Sequence, residues 1–151
     1  MKWPFGVTYE GEFSKGVLTN NGKLIGKNGE QYEGNFKNNY FNGKGKYTFN
    51  EGSKYKGYFK LGLRNGRGIY MKKDEFTYTG NWVDDYPHGL GTFTFGNISV
   101  EGIWKKGINV EITKLEGCEM NEFNHQILNF KIPSINLLPQ KLPNLISMNI
   151  Y

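Results

Sequence analysis

The chain has 151 residues, a formal net charge of +5, 21 glycines, 24 aromatic side chains, one cysteine and no alanine. That length suits one domain with an appendage, while the glycine load and missing alanine argue against a helical bundle, where glycine costs about 1 kcal/mol relative to alanine. Aromatics at 16% exclude a disordered chain, and glycines without a Gly-X-Y period exclude collagen, which leaves an aromatic-rich β protein.

At the start, Met1–Gly6 holds no apolar run of signal-peptide length, and no stretch approaches the ~20 apolar residues of a membrane span. Secretion and membrane spanning are therefore not expected. Cys118 has no partner for an internal disulfide, which fits a reducing compartment.

From Tyr9 onward the chain repeats. Tyr9-Glu10-Gly11-Glu12-Phe13 recurs as Tyr32-Glu33-Gly34-Asn35-Phe36, Tyr55-Lys56-Gly57-Tyr58-Phe59, Tyr78-Thr79-Gly80-Asn81-Trp82 and Val100-Glu101-Gly102-Ile103-Trp104, at offsets of 23, 23, 23 and 22 residues. A second element follows in each unit, as in Gly43-Lys44-Gly45-Lys46-Tyr47-Thr48-Phe49, Gly66-Arg67-Gly68-Ile69-Tyr70 and Gly89-Leu90-Gly91-Thr92-Phe93. The first unit departs there, with Asn20 and Leu24 in the glycine and aromatic positions. In both elements the marked residues fall at every second position, the period of one strand face. Asn/Gly-rich turns such as Lys37-Asn38-Asn39 and Leu61-Gly62-Leu63-Arg64-Asn65 lie between the elements, and turns such as Asn50-Glu51-Gly52-Ser53 join the units. Each unit thus reads as one β-hairpin. The expected fold is all-β, a single-layer twisted antiparallel meander of about ten strands, ~45–50 Å long, in which each unit touches only its neighbours. Glycine opposite an aromatic then serves as a socket that makes room for the ring.

The unit resembles the MORN repeat (membrane occupation and recognition nexus), with Tyr-x-Gly-x-aromatic followed by Gly-x-Gly, over residues 9 to about 109. Trp3-Pro4-Phe5-Gly6 resembles the end of a preceding partial unit at 1–8, and Val110, Ile112 and Leu115 suit a terminal strand. Asn20, Leu24 and Val100 depart from the pattern, all in the first and last units, where caps are expected. The resemblance implies a solenoid-like sheet and roles in cytoskeletal, ciliary or cortical assemblies.

No constellation for catalysis stands out. His88, assigned to the turn Tyr86-Pro87-His88-Gly89, and His125 lie in different parts of the chain, and Cys118 lacks metal-ligand spacing. Asp84 and Asp85 are adjacent and are expected to be solvated. Gly43-Lys44-Gly45 and Gly66-Arg67-Gly68 lack the Gly-Lys-Ser/Thr of a phosphate loop. No enzyme, cofactor or metal is expected.

Charge and apolarity divide the surface. Lys37, Lys60 and Lys105 occupy corresponding places opposite the rings, joined by Lys44, Lys46 and Arg67 on the second strands; Glu10, Glu12, Glu33 and Glu101 are interleaved. This basic face either meets anionic lipid head groups or simply solvates the sheet. Nucleic acid is not expected, because rings and cations lie on opposite faces. On that outer face Tyr58, Ile69, Met71, Val83, Leu90 and Ile103 form an apolar patch that suggests a contact.

The last glycine is Gly117, and the division is drawn there: a repeat sheet over 1–117 with units near 9, 32, 55, 78 and 100, then a glycine-free tail over 118–151 with three of the five prolines. In the tail, 119–130 reads as a short helix with Phe123, Ile127 and Phe130 on one side, packing on its own sheet; the proline-bearing remainder reads as extended and is assigned to a partner. The functional expectation is a non-catalytic, cytoplasmic scaffold, cytoskeletal, ciliary or cortical, binding a helical or extended partner segment along an aromatic groove. Tyr32, Phe36, Tyr55, Phe59, Tyr78, Trp82 and Trp104 would line that groove, with their role as the sheet's own core weighed beside it. The alternative is a peripheral membrane module working through Lys37, Lys44, Lys46, Lys60, Arg67 and Lys105. A third reading is a subunit of a larger complex.

Overall fold

The computed structural model describes Lys2, residues 6–123 and Pro133. Ten strands follow one another: β1 (Thr8–Ser14), β2 (Val17–Ile25), β3 (Gln31–Lys37), β4 (Tyr40–Thr48), β5 (Lys54–Lys60), β6 (Leu63–Lys72), β7 (Phe76–Val83), β8 (Tyr86–Phe95), β9 (Ile98–Lys105) and β10 (Ile108–Glu116). Their order in space is their order in sequence, each antiparallel to the next in one open sheet. The expected all-β meander is what forms, with no helix among the described residues. Most of the tail expected to hold a helix and extended segments lies outside them, as do Trp3, Pro4 and Phe5; Lys2 bridges to Thr8.

Five tight turns close the hairpins, and each places two consecutive residues at positive φ: Lys15–Gly16, Asn38–Asn39, Leu61–Gly62, Asp84–Asp85 and Lys106–Gly107. This is the twist-matching form of a two-residue hairpin. The turn after β5 is therefore two residues long, where five were expected, and Leu63, Arg64 and Asn65 belong to β6. His88 likewise sits within β8 and not in a turn, because the reversal is completed at Asp84–Asp85.

Registration is set by glycine. Gly11, Gly22, Gly34, Gly45, Gly57, Gly68, Gly80, Gly91 and Gly102 pair in sequence across nine strands, forming one unbroken row. On the ring-bearing face the parallel row beside it runs from Tyr9 through Leu24, Tyr32, Tyr47, Tyr55, Tyr70, Tyr78 and Phe93 to Val100, all of them buried. Between these, on the other face, neighbouring strands set Glu10, Lys23, Glu33, Lys46, Lys56, Ile69, Thr79, Thr92, Glu101 and Lys114 side by side.

The socket reading of the glycines has a direct geometric basis. The Tyr32 hydroxyl would lie 2.7 Å from a Cβ built on Gly34 and 2.5 Å from one built on Gly45. Tyr9, Tyr55 and Tyr78 lie over the Gly11/Gly22, Gly57/Gly68 and Gly80/Gly91 pairs in the same way. Each ring so covers the backbone of its own hairpin, and a single layer of sheet acquires a core.

Candidate functional site

Two faces compete for the role of site, and they differ in what they leave open. On the ring face, the strand is irregular just after each glycine, with register shifts after Gly34, Gly57 and Gly80. Asn35, Tyr58 and Asn81 are skipped in their own hairpins and pair only with the preceding strand, and the tyrosine hydroxyl donates to the carbonyl at this position in four units: Tyr9 to Glu12 (3.1 Å), Tyr32 to Asn35 (2.7 Å), Tyr55 to Tyr58 (3.0 Å) and Tyr78 to Asn81 (3.3 Å). The same ring that fills the socket thus also binds a carbonyl at the irregular point of its strand. This explains why the motif carries tyrosine, with its hydroxyl, in four units. In the fifth, where Val100 replaces it, Asn109 Nδ2 donates to the corresponding carbonyl of Ile103 at 3.4 Å.

The rings at the end of the motif complete the core. Phe36, Phe59, Trp82 and Trp104 meet the tyrosines edge to face, with centroids 5.1–5.4 Å apart and planes 70–89° to one another, so that Tyr9–Phe36–Tyr32–Phe59–Tyr55–Trp82–Tyr78–Trp104 is one continuous herringbone. Such contacts add about 0.5–1.5 kcal/mol each beyond area burial. Burial raises the Tyr32, Tyr55 and Tyr78 phenols well above their ordinary value. The seven rings expected to line a groove, Tyr32, Phe36, Tyr55, Phe59, Tyr78, Trp82 and Trp104, are only 0–3% exposed. The structure brings all seven together, as core.

Within this face sits a charge. Arg64 is 1% exposed; its Nε donates to Asp85 Oδ1 at 2.6 Å, and its Nη2 donates to the carbonyls of Asp85 (3.2 Å) and Pro133 (3.0 Å). The guanidinium lies 4.8 Å from the Trp82 ring centroid, with Tyr55 and Phe49 somewhat farther away. Asp85, expected to be solvated, is instead held against the core, because the tight turn directs it back across the sheet to Arg64. Cys118, Phe123, itself buried among the rings, and Pro133 are where the chain beyond β10 touches this face among the described residues.

The opposite face holds the opening. An open groove of about 1390 Å³ crosses all ten strands, floored by the glycine row. Its walls include Glu10, Lys23, Glu33, Lys44, Lys46 and Lys56 toward the N-terminal half and Arg67, Ile69, Leu90 and Glu101 toward the other. The six basic residues expected to form one surface fall into two sets. Lys44, Lys46 and Arg67 line the groove, whereas Lys37, Lys60 and Lys105 lie exposed at the strand ends beside the hairpin turns, outside it. Of the outer-face apolar residues, Tyr58, Ile69, Met71, Val83 and Leu90 are 38–66% exposed and Ile103 is half-buried.

Among the described residues no group of three or more His, Cys, Asp or Glu side chains is arranged to hold a metal, and no helix is long and apolar enough to cross a membrane. His88 lies on β8, while Cys118 packs beside the core just beyond β10. Compared with known families, the sequence profile of the MORN repeat matches residues 9–31, 32–54, 55–75 and 78–97, together more than half of the chain. The fifth hairpin, with Val100 for tyrosine, lies outside those matches but is built into the same sheet. No curated protein matches the chain.

Proposed function

The chain belongs to the MORN-repeat family, and from that premise we propose that it is a non-catalytic scaffold that binds protein partners in a cytoplasmic assembly of cytoskeletal, ciliary or cortical kind. The observation that carries this reading is the division of labour between faces. The rings are consumed in holding a single layer together, which frees the opposite face to act as a surface. That surface is a groove as long as the sheet, walled by charged and apolar side chains and floored by backbone. A rigid, extended surface on stacked units is the usual binding platform of repeat proteins. The non-catalytic part of the reading draws on the residues themselves, since His88 and Cys118, on separate elements, form no nucleophile–base pair with one another.

A membrane-associated reading is favoured by one specific observation. Lys37, Lys60 and Lys105 lie in a line at the hairpin ends, with Lys15 and Lys106 in the neighbouring turns. Successive units are ~10 Å apart, so such an edge presents cations to a flat anionic surface. Vesicle co-sedimentation separates the two readings when run beside affinity capture with cross-linking. The scaffold reading expects cross-linked protein partners and no salt-sensitive sedimentation with phosphatidylserine vesicles. Sedimentation that is lost in a Lys37/Lys60/Lys105→Gln variant, with no cross-linked partner, would replace it with the membrane reading.

A further inference from the structure

Charge is not spread evenly along the groove. In β1–β3 the row beside the glycines alternates Glu10, Lys23 and Glu33, and near the far end Glu101 approaches Lys114 at 3.9 Å. Between those ends, on β4–β6, Lys44, Lys46, Lys56 and Arg67 line the groove, and no carboxylate does so between Glu33 and Glu101. None of these four forms an ion pair with a described carboxylate. They occupy three adjacent strands, hence lie within ~10 Å across the sheet. Directly beyond them the groove turns apolar, where Ile69 is 38% and Leu90 66% exposed.

Shape and chemistry together select the occupant. The groove is linear and concave, so a flat bilayer does not reach Lys44, Lys46 and Arg67 on its walls. Tyr58 is the one ring on the groove wall among the described residues, while the herringbone rings are buried on the other face, so the groove lacks the succession of stacking platforms that single-stranded nucleic acid uses. Four cations that outnumber the carboxylates beside them, with Glu33 opposite Lys46 the one carboxylate in register, complement a chain that carries carboxylates next to apolar residues. We infer that the groove binds an acidic linear polypeptide segment, with its carboxylates on Lys44, Lys46, Lys56 and Arg67 and its apolar side chains on Ile69 and Leu90. This rests on the scaffold reading and specifies the partner's chemistry.

The test uses the full chain and a fluorescein-labelled synthetic peptide with a glutamate block followed by leucines, read by fluorescence polarisation. The peptide is expected to bind in a salt-weakened manner, while its glutamine-for-glutamate twin does not. A Lys46→Gln/Lys56→Gln/Arg67→Gln variant should lose about tenfold in affinity, as several exposed charge contacts are removed. The Lys37→Gln/Lys60→Gln/Lys105→Gln variant should bind as the parent does, which controls for net charge; circular dichroism confirms that both variants fold. An Ile69→Ser/Leu90→Ser variant should weaken the leucine-bearing peptide and leave a glutamate–serine peptide unchanged. Failure of the glutamate peptide to bind, equal binding of its glutamine twin, or equal losses in the two lysine variants overturns the inference. So does displacement of the peptide by single-stranded DNA at equal charge while phosphate-free acidic peptides fail to displace it. If cross-linked protein partners persist with the groove variant, the groove inference alone falls and the scaffold reading stands.

Discussion

Two inter-unit junctions occupy the same place in alternate repeats but are built from different chemistry. Between the first and second units, Asn39 donates its backbone N–H to the Leu18 carbonyl at 3.2 Å, and its side-chain Oδ1 accepts from the Leu18 N–H at 2.7 Å. Between the third and fourth, Asp85 does the same to Arg64, at 3.0 and 3.3 Å. The backbone is one design. Leu18, however, is apolar and fully buried, whereas Arg64 brings a guanidinium into the same kind of slot and requires the carboxylate of Asp85 to stay there. A short side chain returning from a positive-φ turn position thus caps the neighbouring hairpin in either chemistry. Only the charged version reaches outward, to Pro133.

The largest expected effect breaks both junctions at once. Tyr32, Tyr55 and Tyr78 ionise at higher pH when folded than when unfolded, because burial disfavours the phenolate. Their contribution to stability is fully present below pH ~10 and is lost as pH rises through the raised folded values. Stability should fall by up to about 4 kcal/mol per pH unit above that point, as the three buried phenols sum. Urea titrations at stepped alkaline pH, with tyrosinate absorbance followed in parallel, check this; phenols that ionise at their ordinary value in the folded chain would refute it.

Asp85→Asn separates the junctions. It keeps the turn geometry and the acceptor for the Arg64 N–H but strands a buried guanidinium, which should cost about 3 kcal/mol. Chemical denaturation measures the loss, and Asn39→Asp should cost well under half as much, its new charge meeting no buried partner. The double variant Arg64→Leu/Asp85→Asn copies the Leu18–Asn39 junction into the third unit. It should recover to within about 1 kcal/mol of the parent or exceed it, since apolar replacements of buried ion pairs are often neutral or stabilising. A double variant as weak as Asp85→Asn alone would mean that the slot itself, and not the stranded charge, governs the loss. The smallest effect lies in the turn between these junctions: Leu61 sits at φ 50 while 60% exposed. Leu61→Asn should stabilise by about 0.5–1 kcal/mol, read as a shifted denaturation midpoint, because asparagine tolerates that conformation.

Much of the architecture was legible because the physics that builds it is local. The 23-residue recurrence, the alternation about Gly34 and Gly57, and the Asn-rich turns reveal hairpins, their order and the ring sockets. Leu61–Gly62 was harder to read, since a leucine at positive φ carries no turn signature of its own. The candidate site was legible in part. Ring burial and groove curvature are properties of the assembled sheet, so the ring face suggested a groove that lies on the other side. The Arg64–Asp85 pair joins residues 21 apart. A trace of it was nevertheless present: in the aligned units, an arginine stands where Leu18 and Phe41 occupy the same column, and an aspartate stands where Asn39 does.

The substitution of Asn109 for the tyrosine's task gives the array a direction. Opposite Gly102, β10 presents Ile112 where every earlier hairpin presents a second glycine, so a phenol at position 100 would have nowhere to lie. Asn109 reaches the Ile103 carbonyl from the partner strand, in the place where the earlier hairpins use the ring. One end of the sheet therefore keeps the glycine-paired geometry onto which a like hairpin stacks, at Gly11 and Gly22, whereas the other is finished off by a short amide. Grafting identical hairpins onto this protein should succeed ahead of β1 and falter behind β10, which makes the molecule a ruler with one blunt end.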